Sequence, residues 1–219
     1  SESESESQSE SETTSNQILP NTKVEIDFNN YQTKHKGDNS TSNKRDLSSI
    51  YQGDWEFKDI TSDTSTSLIW WSEQVEAYSS GAHETNTIRV SHVDDISFAL
   101  SDIGNLRAEG PGVYKLINDQ GYQYEIYSAS IINFHDPDSG MNSGIEDRLD
   151  ETILKERFSN IKYFDIEVTG GVELMEMGRG DTKFHFDDIS LIANPTIEDQ
   201  SEPQSDQETE QQQGIDETH

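Results

Sequence analysis

The chain has 219 residues, no cysteine and a formal net charge of −29 at pH 7. Without cysteine, a disulfide, a thiolate nucleophile and a cysteine-ligated metal site are all excluded. The strong negative charge opposes binding to nucleic acid or to an anionic lipid surface, because phosphate repulsion must be overcome before any contact forms. No apolar run is long enough to span a bilayer, so direct membrane insertion of this chain is not expected.

The two ends of the chain differ in composition from the middle. Residues 1–16 contain five glutamates and no base, and residues 196–219 contain eight acids and no base. Segments this polar and self-repelling cannot bury enough apolar area to offset chain entropy. The sequence therefore predicts a disordered Ser/Glu tether over residues 1–21 and a disordered acidic tail over residues 194–219.

The Ser/Glu tether carries a prediction about location. It is typical of the spacer that follows the lipidated cysteine of bacterial lipoproteins, which predicts an extracellular or cell-surface protein with a lipid anchor upstream of Ser1. The alternative is an ordinary interdomain linker of a larger secreted protein. The sequence leaves both interpretations open.

Residues 48–193 consist mainly of short alternating segments separated by turn residues, which is the pattern of β-strands. Residues 22–47 form a polar linker that can include one edge strand, and residues 144–161 have the apolar spacing of a short helix. Many strands with a single helix indicate an all-β antiparallel sandwich or barrel. The predicted strands lie at 54–60, 67–79, 86–93, 113–117, 122–134, 164–168, 172–177 and 183–192.

Five sequence motifs occur in a recognisable order along this region. They are QGDWEF (52–57), LIWW (68–71), GAHETNTIRVS (81–91), the pair GPGVYKL (110–116) and GYQYEIYSAS (121–130), and FHFDDISL (184–191). In this order they resemble the jelly-roll carbohydrate-binding modules attached to xylanases and cellulases, of families four, nine and twenty-two. The resemblance implies a jelly-roll β-sandwich over residues 48–193. The acidic segment 135–161 departs from it, since it is longer than the usual connection.

The resemblance also implies a metal site. In modules of this kind a structural calcium commonly joins the first strand to the last. Its expected ligands are Glu56 and Asp187, with Asp188 as a substitute and Asp54 as a lesser candidate. Carboxylate oxygens suit Ca²⁺, which takes six to eight oxygen ligands. The alternative is that Asp187 faces solvent beside His185.

A sugar site needs aromatic rings that stack on pyranose faces and planar polar groups that bind hydroxyls. Strand alternation counted over residues 68–78 and 122–134 selects the side chains that face outward. For the tryptophan pair in the first segment, packing at a sandwich edge is the alternative to sugar stacking. The predicted carbohydrate-binding residues are Trp70, Tyr78, Glu125, Tyr127 and Asn133.

These features predict a non-catalytic extracellular carbohydrate-binding module. The net negative charge disfavours acidic polysaccharides and favours a neutral glycan such as xylan or β-glucan. The alternative function is a structural or adhesive cell-surface domain that binds no sugar. Catalysis is not expected, because the six histidines are scattered and none is accompanied by a nucleophile motif.

Overall fold

The computed structural model describes residues 17–29, 44–61, 68–71, 74–79, 84–129, 143–171 and 182–196. These residues form fifteen strands, one 3₁₀ turn (Glu146–Arg148) and one helix, α1 (Glu151–Arg157). The strands are β1 (Thr22–Ile26), β2 (Lys44–Leu47), β3 (Ser49–Gln52), β4 (Trp55–Asp59), β5 (Leu68–Trp71), β6 (Gln74–Ser79), β7 (Thr85–His92), β8 (Phe98–Ile103), β9 (Arg107–Glu109), β10 (Gly112–Asn118), β11 (Gln123–Ala129), β12 (Ser143–Gly144), β13 (Tyr163–Gly170), β14 (Thr182–Phe186) and β15 (Ile189–Ala193).

The strands form three sheets in which every pairing is antiparallel. Sheet I has the strand order β11-β10-β13-β7-β4-β3, and sheet II has the order β12-β9-β14-β6-β5-β2. A three-stranded edge sheet has the order β1-β15-β8. The predicted all-β sandwich is confirmed.

The core lies between sheets I and II. Phe57 of sheet I stacks on Phe186 of sheet II with ring centroids 6.2 Å apart. Phe28, two residues beyond β1, meets both rings edge-on, at 5.2 Å and 5.9 Å. All three side chains are fully buried. A second contact between the sheets joins Tyr114 to Phe184, with centroids 5.3 Å apart.

The first and last strands of the fold are neighbours. Thr22 of β1 is paired with Ala193 of β15, and the backbone N–H of Asn21 donates to the carbonyl of Asn194 at 3.0 Å. The side chain of Asn21 also accepts from the N–H of Thr196. Residues 17–21 and 194–196, which the sequence assigned to disordered tails, therefore include hydrogen-bonded contacts. The remainder of both predicted tails lies outside the described residues.

One predicted strand is two strands. The segment 67–79 forms the hairpin β5–β6, in which Trp71 is paired with Gln74 and Leu68 with Ala77. This reversal was not predicted, because the connecting residues include no Gly, Pro or Asn, which mark most tight turns. The predicted strand at 172–177 lies outside the described residues.

The predicted helical region is shorter than its apolar spacing indicated. A 3₁₀ turn precedes the seven-residue helix α1, whose N-cap is Asp150. The Asp150 carboxylate accepts from the backbone N–H groups of Thr152 and Ile153, which have no partner within the helix. Leu154 is the buried residue of α1, and Phe158 at its C-cap is also fully buried.

The stacked rings provide a test of the sandwich. Phe186→Ala removes a fully buried ring that contacts Phe57 of sheet I and Phe28 after β1, so it should lower the free energy of unfolding by roughly 3–5 kcal/mol. Urea denaturation followed by tryptophan fluorescence measures the change. The control Val93→Ala, at a position 43% exposed, should change it by less than about 0.5 kcal/mol. A similarly small effect of Phe186→Ala would contradict the described core.

Candidate functional site

Two of the predicted sugar-binding residues lie on the hairpin of sheet II. Trp70 is in β5 and Tyr78 in β6, and their side chains lie outside the described set. Because the chain reverses between these strands, one alternation cannot be counted through both of them. Leu68 and Ala77, which that count placed on opposite sides, are cross-strand partners and are both fully buried. The shared outward face predicted for residues 68–78 is therefore wrong.

The outward position predicted for Tyr127 is also wrong. Tyr114 pairs with Tyr127, whereas the next residue, Lys115, pairs with Glu125. This register shift inserts Ile126 as an extra residue in β11, which is a β-bulge. Ile126 and Tyr127 are consequently both buried, although they are adjacent in sequence. Tyr127 packs in the core against Tyr114, with ring centroids 5.8 Å apart.

The remaining predicted sugar-binding residues do not join the hairpin. Glu125 is exposed and lies on β11, the edge strand of sheet I. Asn133 lies outside the described residues. The structure therefore separates Glu125 from Trp70 and Tyr78, because the first belongs to one sheet and the other two belong to the opposite sheet.

A different group of polar residues lies together on sheet II. The strand β14 directs Phe184 and Phe186 into the core, so Lys183 and His185 lie on the opposite face of the strand. That face is normally solvated in an antiparallel sheet. Here, however, Lys183 is only 9% exposed and His185 only 6%. Both faces of β14 are thus buried.

A carboxylate on the neighbouring strand β9 joins these two side chains. His185 Nε2 lies 2.8 Å from Glu109 Oε2, and Lys183 Nζ lies 3.6 Å from Glu109 Oε1. The hydrogen bond with His185 lowers the pKa of Glu109, the Lys183 charge lowers it further, and burial opposes both. An ionised carboxylate can only accept, so the imidazole Nε2 carries the proton.

Arg107 completes this surface, which we call the polar face of sheet II (Arg107, Glu109, Lys183 and His185). Arg107 and His185 are cross-strand partners. On the other side of β14, Tyr78 occupies the register position opposite Lys183. The sequence analysis did not identify this face, although the alternation Lys183–Phe184–His185–Phe186 is visible in the sequence and marks two residues opposite the core.

The expected calcium ligands are not brought together. Glu56 lies between the buried residues Trp55 and Phe57, so its side chain is on the face of β4 turned away from the core. There it accepts a 2.6 Å hydrogen bond from the Tyr51 hydroxyl, which raises the pKa of Tyr51. Asp187, in contrast, follows Phe186 in the opposite sheet.

The acids that surround Asp187 are Asp27 and Asp188. Burial raises the pKa of Asp187, and the negative charges of Asp188 and Asp27 raise it further, although the N–H of Asp188 donates to Asp187 Oδ1 at 2.8 Å. Asp27 reaches this position because β1 pairs with β15. In the part of the chain that the structure describes, no group of three metal-ligating side chains is close enough to hold a metal ion. The structural calcium stays a prediction.

Asp54, the lesser calcium candidate, lines a cleft of about 490 Å³ between β1 and the β3–β4 turn. Asp27, Trp55, His92 and Gln52 also line the cleft. The Nε2 of Gln52 is buried and has no hydrogen-bond partner among the described residues. The Trp55 ring meets the His92 ring edge-on at 5.0 Å and is only 5% exposed. A sugar ring therefore has no aromatic face to stack on in this cleft.

Comparisons with known proteins assign no relative. No protein-family model matches the chain, and neither a curated protein nor a solved structure matches it significantly. Among the described residues, no helix combines the length and the apolar character needed to cross a membrane. The function therefore has to be inferred from the residues of the polar face of sheet II.

The polar face predicts a pH dependence of stability. Because folding lowers the pKa of Glu109, its ionised form stabilises the native state above the unfolded value of about 4.5, and this contribution is lost as the pH falls through the lower folded value. Glu109→Gln should therefore destabilise the protein more at pH 7 than at pH 3, measured by urea denaturation. Glu125→Gln, which alters an exposed acid on the other sheet, should be neutral at both values. An effect of Glu109→Gln that is equal at both pH values would contradict the network.

The raised pKa of Asp187 predicts a second effect on stability, which calcium would change. Folding raises the pKa of Asp187, so its ionised form costs stability at pH 7, and Asp187→Asn should raise the melting temperature in the presence of a chelator. If calcium binds here, millimolar Ca²⁺ should raise the melting temperature of the wild type but not of Asp187→Asn.

Glu56→Gln decides between the two possible ligand sets for calcium. Loss of the calcium response in this variant would support Glu56 as a ligand. An unchanged response would leave Asp27 and Asp188 as the partners of Asp187. A wild-type melting temperature that calcium does not change would exclude the site.

Proposed function

We propose that this chain is a non-catalytic extracellular carbohydrate-binding module and that a polysaccharide lies on the polar face of sheet II. The antiparallel β-sandwich and the order of the sequence motifs support the class of protein. A fold alone does not determine function, because sandwiches serve many roles. The polar face supplies the argument for a site.

The observation that carries the proposal is the burial of charged and polar groups on the outward side of β14. Burying Lys183 and His185 costs free energy unless hydrogen bonds and opposite charge compensate for it. Glu109 supplies that compensation and fixes the imidazole and the carboxylate side by side. Rigid planar polar groups of this kind form directional hydrogen bonds to sugar hydroxyls.

The neighbouring strand β6 supplies a position for an aromatic ring. Tyr78 of β6 is the register partner of Lys183 and therefore shares its face of the sheet, whereas Trp70 of β5 lies two residues after the buried Leu68, at a position on the core side. Sugar recognition combines a stacking ring with planar polar groups, and sheet II contains both residue types within three adjacent strands. Tyr78 therefore stays in the proposed site. Trp70 is removed from it because its position shares a face with the buried Leu68, and Tyr127 is removed because it is buried in the core.

The location is proposed from the sequence. The Ser/Glu composition of residues 1–16 favours a surface tether with a lipid anchor upstream of Ser1. The polysaccharide would then be a component of the medium or of the cell surface.

Affinity electrophoresis against a panel of neutral and acidic polysaccharides tests the proposal. At least one polysaccharide should retard the wild type, and Tyr78→Ala and Glu109→Gln should each weaken binding by about tenfold, as expected for a lost stacking platform or a lost charge-assisted hydrogen bond. Circular dichroism confirms that each variant is folded.

Glu125→Gln is the matched control, because it removes one carboxylate from sheet I. Its affinity should equal that of the wild type. A loss of binding in Glu125→Gln but not in Glu109→Gln would move the site to sheet I. No retardation by any polysaccharide would refute the proposal and favour the structural or adhesive alternative.

A further inference from the structure

Arg107 differs from the other arginines whose side chains the structure describes. Arg89 lies 3.8 Å from the ring centroid of Tyr163 and forms a bidentate pair with Asp165. The other two also lie over tyrosine rings, Arg148 over Tyr127 and Arg157 over Tyr122. Arg107 is half-buried, yet within the described part of the chain its guanidinium has no hydrogen bond, ion pair or ring contact.

The nearby acids do not neutralise Arg107. Glu109, the next residue on the same face of β9, is engaged by both His185 and Lys183. On the opposite flank, Arg107 is paired with Gly144 of β12, which has no side chain. The Glu146 carboxylate lies on that flank, with an oxygen 3.2 Å from where a Gly144 Cβ would be, but it forms no ion pair with Arg107.

A half-buried guanidinium without an acceptor favours an anionic ligand. Its five N–H groups lie in one plane and match the two oxygens of a carboxylate. Hydrogen bonds between ionised partners are about twice as strong as neutral ones. Lys183 on the same face is already paired with Glu109, so Arg107 is the cation that remains for a ligand.

We propose that Arg107 binds the carboxylate of an acidic sugar, so that the ligand of the polar face is a polysaccharide that contains hexuronic acid. This inference rests on the proposed function and identifies the substrate class of the same site. It replaces the neutral glycan expected from the total charge of −29. At physiological ionic strength, charges separated by more than about 8 Å are largely screened. Moreover, 13 of the 44 acids that produce the total charge belong to the two ends of the chain, residues 1–16 and 196–219. The guanidinium of Arg107 therefore determines which glycan is preferred.

The test compares polysaccharides that differ only in charge. Polygalacturonate and its fully methyl-esterified form have the same sugar backbone, but the ester has no carboxylate. Polygalacturonate should bind the wild type at least about tenfold more tightly than the ester, as expected for a charge-assisted bidentate contact. Dextran sulfate, which is anionic but carries no carboxylate, should bind no better than the ester.

Three variants assign the effect to Arg107. Arg107→Gln should remove the preference, so that polygalacturonate and the ester bind this variant equally tightly. Arg107→Lys should restore only part of the preference, because an ammonium group lacks the planar pair of donors. Lys58→Gln removes one exposed cation from sheet I and should retain the full preference. Because Arg107 has no partner among the described residues, its variants should melt close to the wild-type temperature.

The outcomes separate the two proposals. Equal binding of polygalacturonate and its ester, or a preference that survives in Arg107→Gln, would overturn the role of Arg107 but leave the glycan-binding function. Tight binding of dextran sulfate to the wild type would indicate charge attraction without carboxylate recognition and would also overturn the inference. Retardation by none of the neutral or acidic polysaccharides would overturn both proposals.

Discussion

Three phenylalanine rings pack together in the core of this protein. Phe57 and Phe186 stack across the sandwich, and Phe28 fixes the segment after β1 against both. This packing determines the register of β14. Because Phe184 and Phe186 must face inward, alternation places Lys183 and His185 outward. The polar face of sheet II is thus a geometrical consequence of the aromatic core.

Much of the fold could be predicted from sequence because alternating apolar residues mark half-buried strands directly. The predictions failed where pairing with a neighbouring strand, and not the sequence of the strand itself, determines the direction of the side chains. The β-bulge that buries Tyr127 arises in the pairing of β10 with β11, and no residue of β11 indicates it in the sequence. The β5–β6 hairpin reverses without the usual turn residues. Sequence reasoning therefore placed Tyr127 on the wrong face and counted one strand across a turn.

The candidate site could be predicted only in part, because its members are distant in sequence. Tyr78, which strand alternation had placed outward, is the register partner of Lys183. Glu109, however, meets His185 only because β9 and β14 are neighbours, and nothing near either residue in the sequence indicates that pairing. The same reason applies to the expected calcium site. Asp27 approaches Asp187 through the pairing of β1 with β15, whereas the resemblance of the sequence motifs had implied Glu56 as the partner of Asp187.

The adjacency of β1 and β15 determines how the domain responds to mechanical force. Thr22 and Ala193 are paired at one end of the ladder, and Ile26 and Ile189 at the other. Tension applied through residues 22 and 193 pulls the two strands apart from that end, so the ladder hydrogen bonds carry the load one after another. Two strands pulled from opposite ends would distribute the load over all of their ladder hydrogen bonds at once. The domain should therefore open at its first and last strands under low force, while sheets I and II remain assembled.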